Sequence, residues 1–302
     1  MIMNSPFHEY SKTIECAGDN FKRSCYDVPY PHGTLHLGIK TCVMGILNVT
    51  PDSFYDGKRY DIHENAVEHA IKMVKDGAEI IDIGGESTRP GAFPIMETEE
   101  IKRVIPVIKF LSKQLKTPIS IDTYKAKVAE RAIDAGASII NDVSGLRRDE
   151  KMAQVAAEAH VPVILMHKKG TSRTMQKYPL RKNACAEIMA YLKKSIAIAT
   201  GAGIEGKRII LDPGIGFGKT VQQNLEILRR LGEFKSLDFP LMVGTSRKKF
   251  IGTILDLPVQ ERLYGTLATL AVAVMNGAHI VRVHDVREAV QVVTLCDAIR
   301  NS

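Results

Sequence analysis

Eight short β-type runs, separated by helical patterns, constrain the fold of this 302-residue chain more than any other feature. Glycine helix stops such as Asp76-Gly-Ala78 and Asn276-Gly-Ala278 close helices just before the next run. Composition does not change along the chain, so strands that alternate with helices favour one closed (β/α)8 TIM barrel over an open sheet with a second domain. The predicted strands are residues 43–49, 79–83, 118–121, 138–140, 162–166, 208–211, 240–243 and 279–283.

The N-terminal part lacks this periodicity. Pro and Gly in Tyr30-Pro-His-Gly33 predict a short hairpin after an irregular tail, closing one end of the barrel. We therefore divide the chain into an N-terminal extension, residues 1–38, and a barrel domain, residues 39–302.

Composition and charge exclude several classes. The five cysteines include no CxxC pair, which favours free thiols in a reducing compartment. The N-terminus does not resemble a signal peptide, and the longest apolar run, residues 267–275, is too short to span a bilayer. A cytoplasmic protein without membrane attachment is expected. The net charge of +7 would suit a nucleic-acid-binding protein, but no basic stretch is interleaved with aromatic residues, so no nucleic-acid partner is expected.

A local basic segment, residues 167–186, either draws in a small polyanion or is a solvated loop.

Polar side chains stand at the predicted strand ends. Asp122, Asn141 and Asp212 each end a buried run, and the carboxyl ends of barrel strands carry the active site. A single strand-end Asp is often only a helix N-cap. Three such residues on one barrel face suit a heterocycle with several N–H donors and an amide carbonyl.

The glycine-rich stretch after Asp212 could be mistaken for a nucleotide-binding loop. A phosphate loop ending at Gly218-Lys219-Thr220 would require glycine at position 213, where Pro213 removes an N–H. The dinucleotide pattern of glycines also fails. The stretch instead indicates a tight bend that presents Asp212, with Lys219-Thr220 opening a helix.

Other loops offer groups for anions. The long loop from Asn48 to Arg59 suits a mobile lid or a surface loop, and the next loop frames Thr88 and Arg89, whose guanidinium could clamp an anion or remain solvated. The segment from Ser246 through Arg247 to Lys248 could also reach anionic groups or ring nitrogens. Met166, at the end of the fifth predicted strand, either offers an apolar wall to the site or only fills the core.

Arg282 and His284 are two residues apart in the last predicted strand, so they share its inward face. Such a pair at a barrel mouth is chemically a phosphate site. The alternative is a buried Arg282 satisfied by a neighbouring Asp.

With these residues in hand, the chain resembles the dihydropteroate synthases of folate biosynthesis. The resemblance covers about residues 41–300 in family order, and its most specific blocks are Gly45–Phe54, Asp82–Gly91 and Asp212–Lys219. Further blocks include Ile121-Asp-Thr123 with Ile140–Gly145, Ser246-Arg-Lys248 and Arg282–Val286. The resemblance implies condensation of 6-hydroxymethyl-7,8-dihydropterin pyrophosphate with p-aminobenzoate, releasing pyrophosphate. It also implies a Mg²⁺ cofactor, a homodimer and a sulfonamide target.

The family roles carry over residue by residue. The resemblance implies that the pterin is bound by Asp122, Asn141, Met166, Asp212, Gly216 and Lys248; pyrophosphate by Asn48, Arg89, Arg282 and His284; Mg²⁺ by Asn48; and p-aminobenzoate by Thr88, Phe217 and Ser246. Asp122, Lys248, Arg89 and Asp212 are the implied catalytic residues. No protein nucleophile is needed, because charge on the leaving diphosphate is stabilised by fixed cations and the metal.

The chain departs from the family pattern at rim positions, including Lys58, Lys168, Lys169 and Ser172. These departures concern lid dynamics and inhibitor response. Three alternatives stay open: a pterin-binding corrinoid-dependent methyltransferase, a Schiff-base aldolase using Lys248, and a basic nucleic-acid-binding protein.

Overall fold

A computed structural model describes residues 23–50, 62–87, 92–170 and 183–302. The first two strands are β1 (Tyr26–Tyr30) and β2 (Gly33–Leu37). Eight more strands follow: β3 (Cys42–Asn48), β4 (Ile80–Gly84), β5 (Ile119–Asp122), β6 (Ile139–Asp142), β7 (Val163–Met166), β8 (Ile209–Asp212), β9 (Met242–Val243) and β10 (Ile280–Val283). The helices are α1 (Ile62–Lys75), α2 (Glu97–Gln114), α3 (Ala126–Asp134), α4 (Met152–Glu158), α5 (Ala184–Gly201), α6 (Val221–Arg229), α7 (Lys249–Leu255), α8 (Leu263–Met275) and α9 (Val286–Arg300).

The sheet closes on itself. Its parallel strands run β8-β7-β6-β5-β4-β3-β10-β9, and a parallel bridge between Leu211 and Leu241 joins the two ends. The N–H of Leu211 donates to the carbonyl of Pro240 at 2.9 Å. The predicted (β/α)8 barrel is therefore confirmed, and each predicted strand overlaps an observed one. The seventh barrel strand, β9, is shorter than predicted, with only Met242 and Val243 in ladder geometry.

Period-two alternation sorts each strand into an inner and an outer face. The outer residues, such as Val281 and Val283 of β10, join the large core between sheet and helices. The inner residues near the strand starts form an apolar plug: Cys42, Met44, Ile80, Ile139, Ile164, Ile210, Met242 and Ile280. Two residues further along several strands, the inner position becomes polar. The pleat therefore stacks a polar layer directly on the apolar plug.

The predicted hairpin caps the barrel at the starts of its strands. Strands β1 and β2 pair antiparallel, and Val28, Leu35 and Leu37 pack against the apolar plug. The opposite end, where the strands finish, carries the polar layer.

Within the described part of the chain, no helix is long and apolar enough to cross a membrane. Cys25, Cys42, Cys185 and Cys296 carry free thiols.

Candidate functional site

The centre of the polar layer is an ion cluster contributed by four strands. Arg282 of β10 donates from Nε to Asp82 Oδ2 at 2.5 Å and from Nη2 to Asp122 Oδ2 at 2.8 Å. Asn141 of β6 donates from Nδ2 to Asp82 Oδ2 at 3.0 Å. The arrangement weighed above for Arg282, in which neighbouring carboxylates satisfy the arginine, is therefore present, although the side chain is only partly buried. It also places Arg282, Asp122 and Asn141 together at one mouth.

Three acceptor atoms of this cluster are buried without a donor. Asp82 Oδ1, Asp122 Oδ1 and Asn141 Oδ1 have no hydrogen-bond partner among the described residues. Buried acceptors are almost always satisfied by protein, water or ligand, and an unsatisfied one costs about 1–3 kcal/mol. These oxygens are therefore suited to accept hydrogen bonds from a ligand with several N–H groups.

Burial also changes the acid strength of the cluster. The pKa of Asp122 is raised to about 7 by burial, with Arg282 opposing and Asp82 reinforcing the shift. For Arg282, burial alone would lower the pKa, but the charges of Asp82 and Asp122 outweigh it and raise the pKa. The guanidinium therefore remains charged, while Asp122 can exchange a proton near neutrality.

The glycine-rich turn after β8 is held by a buried lysine. Lys219 Nζ donates to the carbonyls of Gly214 and Phe217 at 2.7 and 3.1 Å, and it lies 2.9 Å from His167 Nδ1. Burial lowers the pKa of Lys219 to about 7, and Asp212 partly offsets this. At Gly214, with φ of 69°, a Cβ would lie 2.0 Å from the carbonyl oxygen of His167, so only glycine fits. The turn thereby fixes Asp212, whose Oδ1 accepts from the Gly214 N–H at 2.6 Å.

The same turn brings Phe217 under Lys248. Lys248 Nζ lies 4.0 Å from the centroid of the Phe217 ring, and its aliphatic stem passes over Gly216. Burial and the charge of Arg282 lower the pKa of Lys248 to about 8, although Asp212 and Asp122 favour its charged form. Lys248 therefore joins the mouth formed by the acids and Arg282.

One side of the mouth is apolar. Tyr124, Val143 and Met166 form a small buried cluster against which Phe217 packs. Met166 therefore packs in a cluster that is separate from the two larger apolar cores. An apolar wall beside convergent polar groups is the usual construction of a small-molecule site.

The opposite side of the mouth offers groups for an anion. Ser246 Oγ lies 2.9 Å from His284 Nδ1, so these two predicted residues are neighbours. Asn48, at the end of β3, lies close to Asp122. The side chains of both residues border Gly84, because a Cβ built on this glycine would lie within 4 Å of each. Arg247 belongs to the segment that could reach anionic groups or ring nitrogens. It is held in a two-point ion pair with Asp285, at 3.0 and 2.6 Å.

Some predicted residues lie outside the described ranges. These are Thr88, Arg89 and residues 51–59 of the long loop that follows Asn48. In the basic segment, residues 171–182 also lie outside them, and Lys169 pairs with Glu187 at 2.9 Å.

Sequence reasoning assigned no role to Asp82 or to the cluster around Lys125. Asp82 is the hub of the ion cluster, and its signal was its position two residues after the inward Ile80. Lys125 of the β5–α3 loop binds Glu86 at 2.7 Å and Glu100 at 2.5 Å, and Glu86 also accepts from the Tyr124 hydroxyl at 2.7 Å. Only the fold brings these residues together, so no local pattern could have shown the second cluster.

The fold and site together define a TIM barrel whose mouth combines buried acceptors with cationic side chains, a construction suited to a flat, nitrogen-rich ring that carries an anionic group. Residues 44–284 match the family of pterin binding enzymes. The dihydropteroate synthase of Bacillus subtilis is 52% identical over 262 residues, covering 87% of this chain and 90% of that protein. The chain belongs to the pterin binding enzyme family.

Solved structures agree with this assignment. A Clostridium difficile dihydropteroate synthase determined with pteroic acid superposes with a TM-score of 0.83 at 47% identity, covering 87% of this chain and 98% of that one. A Xanthomonas albilineans dihydropteroate synthase with 4-aminobenzoic acid gives a TM-score of 0.86 at 38% identity, covering 92% and 99%.

Proposed function

We propose that this chain catalyses the dihydropteroate synthase reaction. It joins 6-hydroxymethyl-7,8-dihydropterin pyrophosphate to p-aminobenzoate and releases pyrophosphate. The observation that carries the proposal is the set of three buried acceptors, without a donor among the described residues, beside Arg282 and Lys248. Relatives named for this activity, two of them solved with pteroic acid or 4-aminobenzoic acid, support the substrates.

The ring-binding role belongs to the acids and the amide. Asp122 Oδ1 and Asn141 Oδ1 accept N–H groups of the pterin, and Asp212 accepts a further one, while Lys248 donates to ring acceptors. The apolar side of the mouth, with Met166 and Phe217, packs against the ring face. Gly216 leaves room for the Lys248 stem, because a Cβ there would lie 3.1 Å from Lys248 Cδ.

The chemical step is ionisation followed by attack. As the C–O bond breaks, the leaving diphosphate carries away the electron pair, and Arg282, His284 and Arg89 stabilise its charge. The exocyclic carbon becomes cation-like and is stabilised by the electron-rich ring and by the carboxylates of Asp122 and Asp212. The p-aminobenzoate nitrogen, held by Thr88, Phe217 and Ser246, then forms the C–N bond and loses a proton.

A magnesium ion fits this site only together with the substrate. Among the described residues, no group of three or more His, Cys, Asp or Glu side chains could hold a metal. Mg²⁺ commonly takes one or two protein oxygens and completes its shell with phosphate and water. Asn48, at the tip of β3 beside Asp122, offers one such oxygen. Bound there, the metal would neutralise charge on the diphosphate.

We also propose that the chain forms a homodimer through helices α8 and α9. Helices α8 and α9 pack together and expose Val272, Leu295 and Ile299, which are 45%, 63% and 56% accessible. Exposed apolar side chains on neighbouring helices are suited to a second copy of the chain. Light scattering after size exclusion should give a dimer mass, and Leu295→Glu should shift it to a monomer.

The activity is tested by supplying both substrates and measuring pyrophosphate and dihydropteroate. Calorimetric titration with the pterin pyrophosphate, with and without Mg²⁺, separates ring binding from diphosphate binding. We expect turnover that requires both substrates and tighter pterin pyrophosphate binding with Mg²⁺. A methyl transfer from methyltetrahydrofolate to a corrinoid, without condensation, would instead establish the methyltransferase alternative.

A further inference from the structure

Lys168 follows β7 by two residues and lies at the mouth of the barrel. Its Nζ is 5.7 Å from the centroid of the Phe217 ring. Lys248 Nζ is 4.0 Å from the centroid of the same ring. Although Lys168 belongs to a loop, it is partly buried. Two lysine side chains from different loops therefore approach the same aromatic ring, Phe217, at the edge of the proposed pterin pocket.

The neighbours of Lys168 belong to that pocket. Burial lowers the pKa of Lys168, the charge of Arg148 adds to this, and Asp122 and Glu86 oppose it. The positive charge of Lys168 in turn favours the ionised form of Asp122 and disfavours the charged form of Lys248. Lys168 is thus close enough to act electrostatically on two of the residues assigned to the pterin.

The position of Lys168 around the barrel separates it from the diphosphate side. In the closed order of the eight barrel strands, β7 lies directly opposite β3, which ends at Asn48. Two further described residues are assigned to the diphosphate. Arg282 lies in β10 and His284 follows this strand, which pairs with β3. The ring pocket, with Asn141 of β6 and Asp212 of β8, is on the same side as β7.

We propose that Lys168 is a further substrate-binding residue, whose ammonium group covers the pterin ring and increases affinity for the heterocycle rather than for its diphosphate. This rests on the proposed function, which supplies the identity of the ring. An ammonium held near an electron-rich ring is attracted to its face or carbonyl oxygen, and partial burial strengthens that attraction.

Lys169 provides a matched control on the same loop. It carries the same charge one residue further along, but its Nζ is bound to Glu187 Oε1 at 2.9 Å, on α5. Removing that ammonium changes the net charge of the protein by the same amount. A difference between Lys168→Met and Lys169→Met therefore reports local contact with the ligand and not the overall field.

The experiment measures binding of three probes by calorimetry to wild type, Lys168→Met, Lys168→Arg and Lys169→Met. The probes are 6-hydroxymethyl-7,8-dihydropterin without its diphosphate, inorganic pyrophosphate with Mg²⁺, and p-aminobenzoate. We expect Lys168→Met to weaken dihydropterin binding about fivefold to tenfold, with Lys168→Arg close to wild type. Pyrophosphate affinity and the thermal midpoint should remain unchanged, as should all three affinities of Lys169→Met.

Other outcomes overturn the proposal. A loss confined to pyrophosphate or p-aminobenzoate would assign Lys168 to another substrate, and equal losses in both methionine variants would reduce its effect to net charge. Unchanged dihydropterin affinity in Lys168→Met would remove the role entirely. If the wild-type protein binds no dihydropterin, the proposed function itself fails, which is a separate result.

Discussion

The two ends of this barrel differ in how completely an arginine and its carboxylate partners satisfy each other's hydrogen bonds. At the hairpin end, Arg23 uses Nε, Nη1 and Nη2 on Gly38, Thr41, Ala278 and Asp297. Both oxygens of Asp297 are also satisfied, by Arg23 and Thr41. At the mouth, Arg282 binds Asp82 and Asp122, yet each carboxylate keeps one buried oxygen without a donor among the described residues.

This difference separates stability from function. The Asp297 cluster holds the end of the barrel together, and its one unpartnered buried polar atom among the described residues is a donor, Arg300 Nε, so it leaves no buried acceptor for a ligand. A cluster with spare acceptors is less stable by itself, and ligand binding relieves the deficit. Functional sites commonly keep such local destabilisation. Variants at the two ends should therefore fail in different measurements.

The largest expected effect is at the mouth. Asp122→Ala and Lys248→Ala should each abolish measurable turnover, a loss of at least about 10³-fold, because each removes an electrostatic contact to the reacting ring. Steady-state assays give the activity, and thermal unfolding should show that the fold is intact. Near-normal activity in either variant would contradict our site assignment.

At the hairpin end, Arg23→Met should destabilise the protein by about 1–3 kcal/mol, because it removes one of the two arginines that pair with Asp297 and the side-chain donor to the carbonyl of Ala278. Activity per folded molecule should be unchanged. Denaturant unfolding measures the loss. The control is Arg131→Met, which removes an exposed pair with Asp134 and should change stability by less than about 1 kcal/mol. Equal effects of the two variants would remove the contrast between the cluster and a surface pair.

Arg282→Ala should weaken pyrophosphate binding about 10- to 100-fold, because the guanidinium is a charged donor for the leaving group. Binding of p-aminobenzoate should change far less. Calorimetry with each ligand alone makes the comparison, and Arg282→Lys should recover part of the pyrophosphate affinity. Equal losses for both ligands would show that the two subsites are not divided as proposed.

The smallest effect is a pH dependence of ring binding. Asp122, whose pKa is raised to about 7 by burial, accepts an N–H best when ionised, so dihydropterin affinity should fall about tenfold per pH unit below 7. Above pH 8, loss of the Lys248 proton should weaken binding again. Titrations from pH 5.5 to about 9 test both limbs, and Asp122→Asn should lose the acidic one.

The raised pKa of Asp122 also predicts how the stability of the fold changes with pH. Because the folded pKa of Asp122 lies above its unfolded value of about 3.9, the native state binds more protons between about pH 4 and 7. The contribution of Asp122 to stability is therefore most favourable below that window and declines as pH rises through it. A wild-type stability curve identical to that of Asp122→Asn would contradict this account.

Sequence reasoning was most successful where local pattern and fold coincide. The residues Asp122, Asn141 and Asp212 end predicted strands, so a barrel necessarily brings them to one mouth. It was incomplete where contacts join distant segments. The ion pair of Arg247 with Asp285, 38 residues away, had no signal in the sequence. The β5–α3 lysine cluster likewise depends on Glu86, 39 residues from Lys125.

The sequence alone determined the number of barrel strands, the inward face of the last strand and the family motifs, because hydrophobic period and glycine position are local properties of the chain. Only the tertiary structure decided which charges meet. It made Asp82 the hub between Arg282 and Asn141, and it placed Lys168 beside Phe217. Electrostatic interaction depends on distance and burial in the folded chain, and neither can be read from residues that lie far apart in sequence.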